Sequence, residues 1–136
     1  MQIDLHKYST FVDGLTSEAS NNTSVLVRRL QELQVSHPSL NISLWDTAAC
    51  GMCGEAGEFS EILKKVKFHG KPVNDELIAH ASKELGDVIW YWTNACRALG
   101  LDPNKVIADN VTKLESRYPG GSFSIAASET RASGDI

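Results

Sequence analysis

A surplus of basic residues is missing from this sequence, and its absence removes one class of partner. The chain has 13 Lys and Arg against 17 Asp and Glu, a formal net charge of −4, whereas a general grip on nucleic-acid phosphates needs a basic face. Long apolar runs are missing too. The longest, Val88 to Trp92, falls far short of the roughly 20 residues that span a bilayer. The start, MQIDLHKYST, lacks the basic segment and apolar block of a secretory signal, so a cytoplasmic location is expected. Cysteine is scarce and odd in number, at Cys50, Cys53 and Cys96, which argues against a disulfide scaffold. Cys50 and Cys53 form a CxxC, but no second Cys or Cys/His pair stands at zinc-site spacing, and the flanking pattern is helical. Packing is the only role they are given.

What is present is helical punctuation. The 136 residues suit one domain with a real core. A first helix is expected from about Asp4 to Ser20, with Leu5, Tyr8, Phe11, Val12 and Leu15 on one side; Asn21 to Ser24 breaks it and a shorter helix follows to about Leu33. Ser43 is read as the N-cap of a long amphipathic helix carrying Trp45, Ala48, Met52, Phe59, Leu63 and Val66. Phe68 to Val73 reads as a turn, and Asn74 caps a second long helix whose stripe includes Leu77, Leu85, Val88, Ile89, Trp92 and Cys96. Gly100 stops that helix; Asp102 and Pro103 open a last one that ends near Arg117. The fold expected is therefore all-α, a bundle of two long antiparallel helices with shorter flanking ones. The single domain covers residues 1–118, and the tail 119–136 is extended or disordered for want of apolar content.

Two short sequences carry chemistry: GEAGE, with Glu55 and Glu58, and ELGD, with Glu84 and Asp87. Each is an acidic pair at i, i+3, neighbours on a helix surface. One such pair would pass for solvated surface charge. At about 100° per residue, however, both pairs flank the apolar stripe of their helix in the same rotational sense. A short turn makes the two helices antiparallel, and like flanks then fall on the same edge. Four carboxylates brought together repel unless some are protonated or a cation lies among them. All-oxygen ligation favours Mg2+, with Mn2+ as a substitute, over zinc or copper. Di-iron chemistry wants a Glu-x-x-His, which is missing here: the nearest histidine, His80, stands four residues after Glu76. Magnesium shares its ligands with phosphates, so phosphoryl chemistry follows.

Polar companions fit that direction. Lys65 lies on the Glu58 side of its helix, where it can meet a phosphate or pair with Glu61. Asn110 falls among Val106, Ile107 and Leu114 and is expected to be buried and hydrogen-bonded, as a contact or as a structural amide. Lys113 and Arg117 follow beside it. Trp92 belongs to the apolar stripe and is expected in the core, whereas Trp90, well off that stripe, points to an oligomer interface.

The segments GEAGEFSEILKK, ELGDVIWY and N-x-x-KL-x-x-RYPGG resemble the MazG-like nucleotide pyrophosphohydrolases of the all-alpha NTP pyrophosphatase superfamily. The likeness covers roughly Leu44 to Phe123, and the single-domain form is similar to the short phage-type or mobile-element versions. The resemblance implies a helical bundle that forms a homodimer or homotetramer. It places magnesium on Glu55, Glu58, Glu84 and Asp87, and phosphate and sugar contacts on Lys65, Asn110, Lys113, Arg117 and Tyr118. The expected reaction converts a nucleoside triphosphate and water into a monophosphate and pyrophosphate, with Glu55 or Glu58 as the base. The alternative is a non-catalytic helical regulatory protein that binds a nucleotide or a cation.

Overall fold

The computed structural model describes residues 3–129. Every regular element among them is a helix: α1 Leu5–Leu15, α2 Glu18–Asn21, α3 Thr23–Ser36, α4 Ile42–His69, α5 Asp75–Leu99, α6 Pro103–Arg117 and α7 Ile125–Glu129. The all-α class expected from the sequence is what is observed. The chain divides into two compact units, one ending at Ile42 and one beginning at Ser43.

In the first unit, caps decide where helices begin. Asp4 accepts from the N–H groups of His6 and Lys7 at 3.0 and 3.3 Å and starts α1. The single helix expected through Ser20 is interrupted at Thr16, whose backbone is extended; Ser17 then caps α2 through the N–H of Ser20. Asn22 caps α3 by accepting from Ser24 and Val25. These residues compete for backbone donors, so a run rich in Ser, Thr and Asn prefers several short helices to one long one. Gln34 closes the unit: its Nε2 donates to the Leu40 carbonyl at 2.7 Å and its Oε1 accepts from the Ile42 N–H at 3.4 Å. Because α4 already begins at Ile42, Ser43 is not the cap expected of it; its carbonyl accepts from the Thr47 hydroxyl inside the helix.

The second unit rests on α4 and α5. Gly70, at φ 68°, ends α4 in the left-handed region, and the Lys71 N–H reaches back to the Lys65 carbonyl at 3.1 Å. Asn74 accepts from the Leu77 N–H at 2.9 Å and opens α5. At the far end Gly100, φ 67°, turns the chain while the Leu101 N–H bonds the Cys96 carbonyl at 2.9 Å. Asp102 caps α6 with Pro103 in its first turn. Among the described residues, the buried apolar ones are Ala48 and Ile62 on α4 and Leu77, Cys96 and Ala98 on α5. Gly51 on α4 lies against the Tyr91 ring of α5, so near that a Cβ there would overlap it. Buried Asn94 is satisfied: it donates to the Trp90 carbonyl and accepts from Arg97 at 2.8 Å.

Some expectations shift. Trp92 is only half-buried, and Asn110, expected in the interior, is exposed. Trp90 is 58% exposed, as its place off the stripe implied. Within the stretch expected to be extended, α7 forms one short helix.

Candidate functional site

Glu55 and Glu58 project from α4 and Glu84 from α5, and one carboxylate oxygen of each lies within 4.8 Å of the others. Spacing makes this possible. The i, i+3 step puts Glu55 and Glu58 on one flank of α4. On α5, whose Tyr91 ring seats against Gly51 of α4, Glu84 reaches the same point. Glu84 is buried, Glu55 half-buried and Glu58 exposed, so the cluster runs from the interior to the surface. Asp87, one turn further along α5 and exposed, lies outside this three-oxygen group. Its charge nevertheless acts on Glu55.

The electrostatics show the strain of this gathering. Burial pushes the Glu55 carboxyl above its ordinary value, followed by the charges of Glu58 and Asp87 and by its hydrogen bond with Glu84 and that residue's charge. Glu84 has a further partner: Nε2 of His80 stands 2.9 Å from its Oε1, at hydrogen-bond distance, with the His80 side chain half exposed. An ionised carboxylate only accepts, and these carboxylates supply several acceptors converging on one point from two helices. A donor set made only of carboxylate oxygens suits a hard divalent cation of the magnesium and manganese class.

Beside the carboxylates opens an apolar cavity of about 410 Å³, walled by Met52, Val88, Trp92, Val106 and Ile107, with Asn110 as its polar member. Met52 stands one turn before Glu55 and Val88 one turn after Glu84, so cavity and cluster adjoin along both helices. Asn110 thus lines an open cavity rather than the core. Lys65 stands 3.8 Å from Glu61, which Lys64 also contacts; these lysines hold the Glu61 carboxyl below its ordinary value. Lys113 is exposed, and Arg117 is half-buried with interactions of its own. Tyr118 is half-buried against Phe123, ring centroids 5.9 Å apart, in a separate cavity of about 280 Å³.

Sequence reasoning missed two features here. His80 was measured against Glu76 behind it, although the i, i+4 step to Glu84 ahead was equally legible. The approach of Gly51 to Tyr91 had no sequence signal, because it depends on the register between two helices.

The model of the MazG nucleotide pyrophosphohydrolase domain matches residues 46–122, more than half of the 136. No curated protein and no solved structure gives a significant match.

Proposed function

Given that the chain belongs to the MazG nucleotide pyrophosphohydrolase family, we propose that it is a magnesium-dependent hydrolase of nucleoside triphosphates, yielding a nucleoside monophosphate and pyrophosphate. The observation that carries this reading is the convergence of Glu55, Glu58 and Glu84, oxygens within 4.8 Å, on one point beside a cavity. Glu55, Glu58 and Glu84, with Asp87 at the rim, would hold the cation. A divalent ion there would relieve the mutual repulsion of the carboxylates, lower the pKa of a water and offset charge on the phosphates.

The remaining work falls to the chain. In the reaction, a water oxygen bonds to the alpha-phosphorus, the bridging bond to the beta-phosphate breaks, and pyrophosphate leaves with the electron pair. Glu55 or Glu58 takes the proton of the attacking water. The cavity walled by Met52, Val88 and Trp92 excludes water on the nucleoside side, with Asn110 oriented for a polar atom of sugar or base. Lys65, Lys113 and Arg117 would be anion contacts, as the resemblance implies, with Tyr118 in a cavity of its own; Lys65 must leave Glu61 to act, a small step since both are partly exposed.

The wider architecture belongs to the same reading. Gly51 faces Tyr91 while Glu55, further along α4, faces Glu84, further back along α5, the order of an antiparallel pair. Trp90 at 58% exposure, outside the lining of the cavity beside the carboxylates, supports a homodimer or homotetramer that covers it. No helix among the described residues is long and apolar enough to cross a membrane, which accords with a cytoplasmic enzyme.

The test is pyrophosphate release from a panel of the eight common ribo- and deoxyribonucleoside triphosphates, with and without magnesium. Magnesium-dependent release from at least one of them is expected. No turnover with any nucleotide would replace this reading with that of a cation- or nucleotide-binding protein.

A further inference from the structure

A third pocket, of about 290 Å³, lies where α4 hands over to α5, and Lys71, Asn74, Glu76, His80 and Lys83 line it. Two of these are cations from different elements. Lys71 is pinned by the turn: Gly70 in the left-handed region lets the Lys71 N–H hold the Lys65 carbonyl, and Pro72 restricts Lys71 to extended backbone. Lys83 comes from α5, where His80, Lys83, Glu84 and Asp87 recur at helical steps and share one face. That face joins the pocket directly to the carboxylate cluster, because His80 lines the one and stands 2.9 Å from Glu84 in the other.

The lysines of this chain differ in how they are employed. Lys64 and Lys65 are engaged by Glu61, and Lys105 by Asp109. Among the described residues, neither Lys71 nor Lys83 has a carboxylate within 4.0 Å of its ammonium group. Glu76 contributes one opposing charge to the wall, which leaves the pocket cationic even with His80 neutral. Two cations facing one pocket, one helical turn from a cluster of carboxylates, match a ligand that is itself an extended chain of negative charge. One end of such a chain needs a cation among the carboxylates, and the other needs ammonium groups.

We propose that this pocket holds the distal phosphates of the substrate and the pyrophosphate that leaves, with Lys71 and Lys83 as their ammonium donors. His80 bridges the two sites, lining the pocket and standing 2.9 Å from the Glu84 carboxylate. The identity of the anion rests on the triphosphate reading above, but occupancy of the pocket can be measured without any turnover.

The experiment is calorimetric titration of inorganic pyrophosphate into the full chain in the presence of magnesium. It compares the wild type, the Lys71→Gln/Lys83→Gln double variant and a Lys105→Gln control, each checked for an unchanged melting temperature. The double variant is expected to bind pyrophosphate about tenfold or more weakly, as the loss of charge-assisted hydrogen bonds implies, with the control unaffected. A Lys71→Arg/Lys83→Arg variant, which keeps both charges, should retain most of the affinity and so exclude a folding effect. Equal affinity in wild type and double variant would overturn the proposal, as would an absence of pyrophosphate binding by the wild type. Nucleotide turnover is measured alongside. Lysine-dependent pyrophosphate binding without turnover of any nucleotide would leave the pocket standing and reject the hydrolase; turnover with lysine-independent binding would do the reverse.

Discussion

Gly51 on α4 and Tyr91 on α5 meet, the phenol ring occupying the space a Cβ on residue 51 would need. One turn further along α4 stands Glu55, and seven residues back along α5 stands Glu84. The spacing that permits this contact is therefore also the spacing that lets those carboxylates converge. Gly51→Ala should destabilise the fold by about 1–3 kcal/mol, the usual cost of overpacking, and weaken magnesium binding through the displaced Glu84. Urea unfolding of Gly51→Ala, Tyr91→Ala and the double variant checks this. The double variant should recover part of the loss, because Tyr91→Ala makes room for the new methyl. Strict additivity of the two changes would show that the helices do not bear on each other here.

Glu55 gives the metal-free protein a pH dependence with a definite sign. Its carboxyl binds a proton more tightly in the folded chain than at its ordinary value of 4.5, chiefly through burial and then through Glu58 and Asp87. Below the unfolded value both states hold the proton and there is no penalty. As pH rises through the interval up to the folded value, the folded state must carry a charge it resists, so stability falls and stays lower above that interval. Glu55→Gln should remove this contribution, making the metal-free variant more stable than wild type at pH 7 while abolishing its magnesium response. Denaturant unfolding in chelator across pH 4 to 8 is the measurement, and a variant less stable than wild type at pH 7 would speak against repulsion in the cluster.

His80 stands 2.9 Å from the Glu84 carboxylate that also joins Glu55 and Glu58 in the cluster. His80→Ala should leave the Glu84 carboxylate short of a donor, at a cost of about 1–3 kcal/mol for a buried group without its partner. Removing a residue that orients a metal ligand typically costs 10- to 100-fold in metal affinity, so the magnesium concentration for half-maximal activity should rise by about that factor. An unchanged magnesium dependence would reduce His80 to a surface residue.

Much of this could be read from the residues in order, and the exceptions share a cause. Asn74, Gly100, Asp102 and Pro103 act within one turn of themselves, and they cap or stop their helices where the sequence places them. Glu55 with Glu58, and Glu84 with Asp87, were visible as i, i+3 pairs for the same reason. Asn110 was misjudged because the apolar face of α6 lines an open cavity rather than a closed core, a property of three helices together. The early end of α1 followed from Ser17 capturing the Ser20 N–H, one local competition among several that the apolar stripe alone could not rank. The Gly51 to Tyr91 contact depends on register between helices far apart in sequence.

Trp90 offers a separate check on assembly. With more than half its surface exposed beside Ile89, it should lie at a contact between copies of the chain. Light scattering at micromolar concentration should give the mass of at least two chains for wild type and a shift toward one for Trp90→Glu. A single-chain mass for the wild type would remove the interface.

Asp87→Asn puts the metal site to its most direct trial. The substitution nearly keeps the side chain's shape but deletes one charge that acts on Glu55, so repulsion in the metal-free cluster should ease. Unfolding free energy in chelator and turnover in magnesium are measured on the same preparation. The expected result is metal-free stability equal to wild type or slightly above it, with activity reduced about a hundredfold or more, since even residues behind a metal ligand cost 10- to 100-fold. A clear loss of metal-free stability with activity retained would contradict it, showing that Asp87 holds the helices together and that hydrolysis, if present, takes place elsewhere.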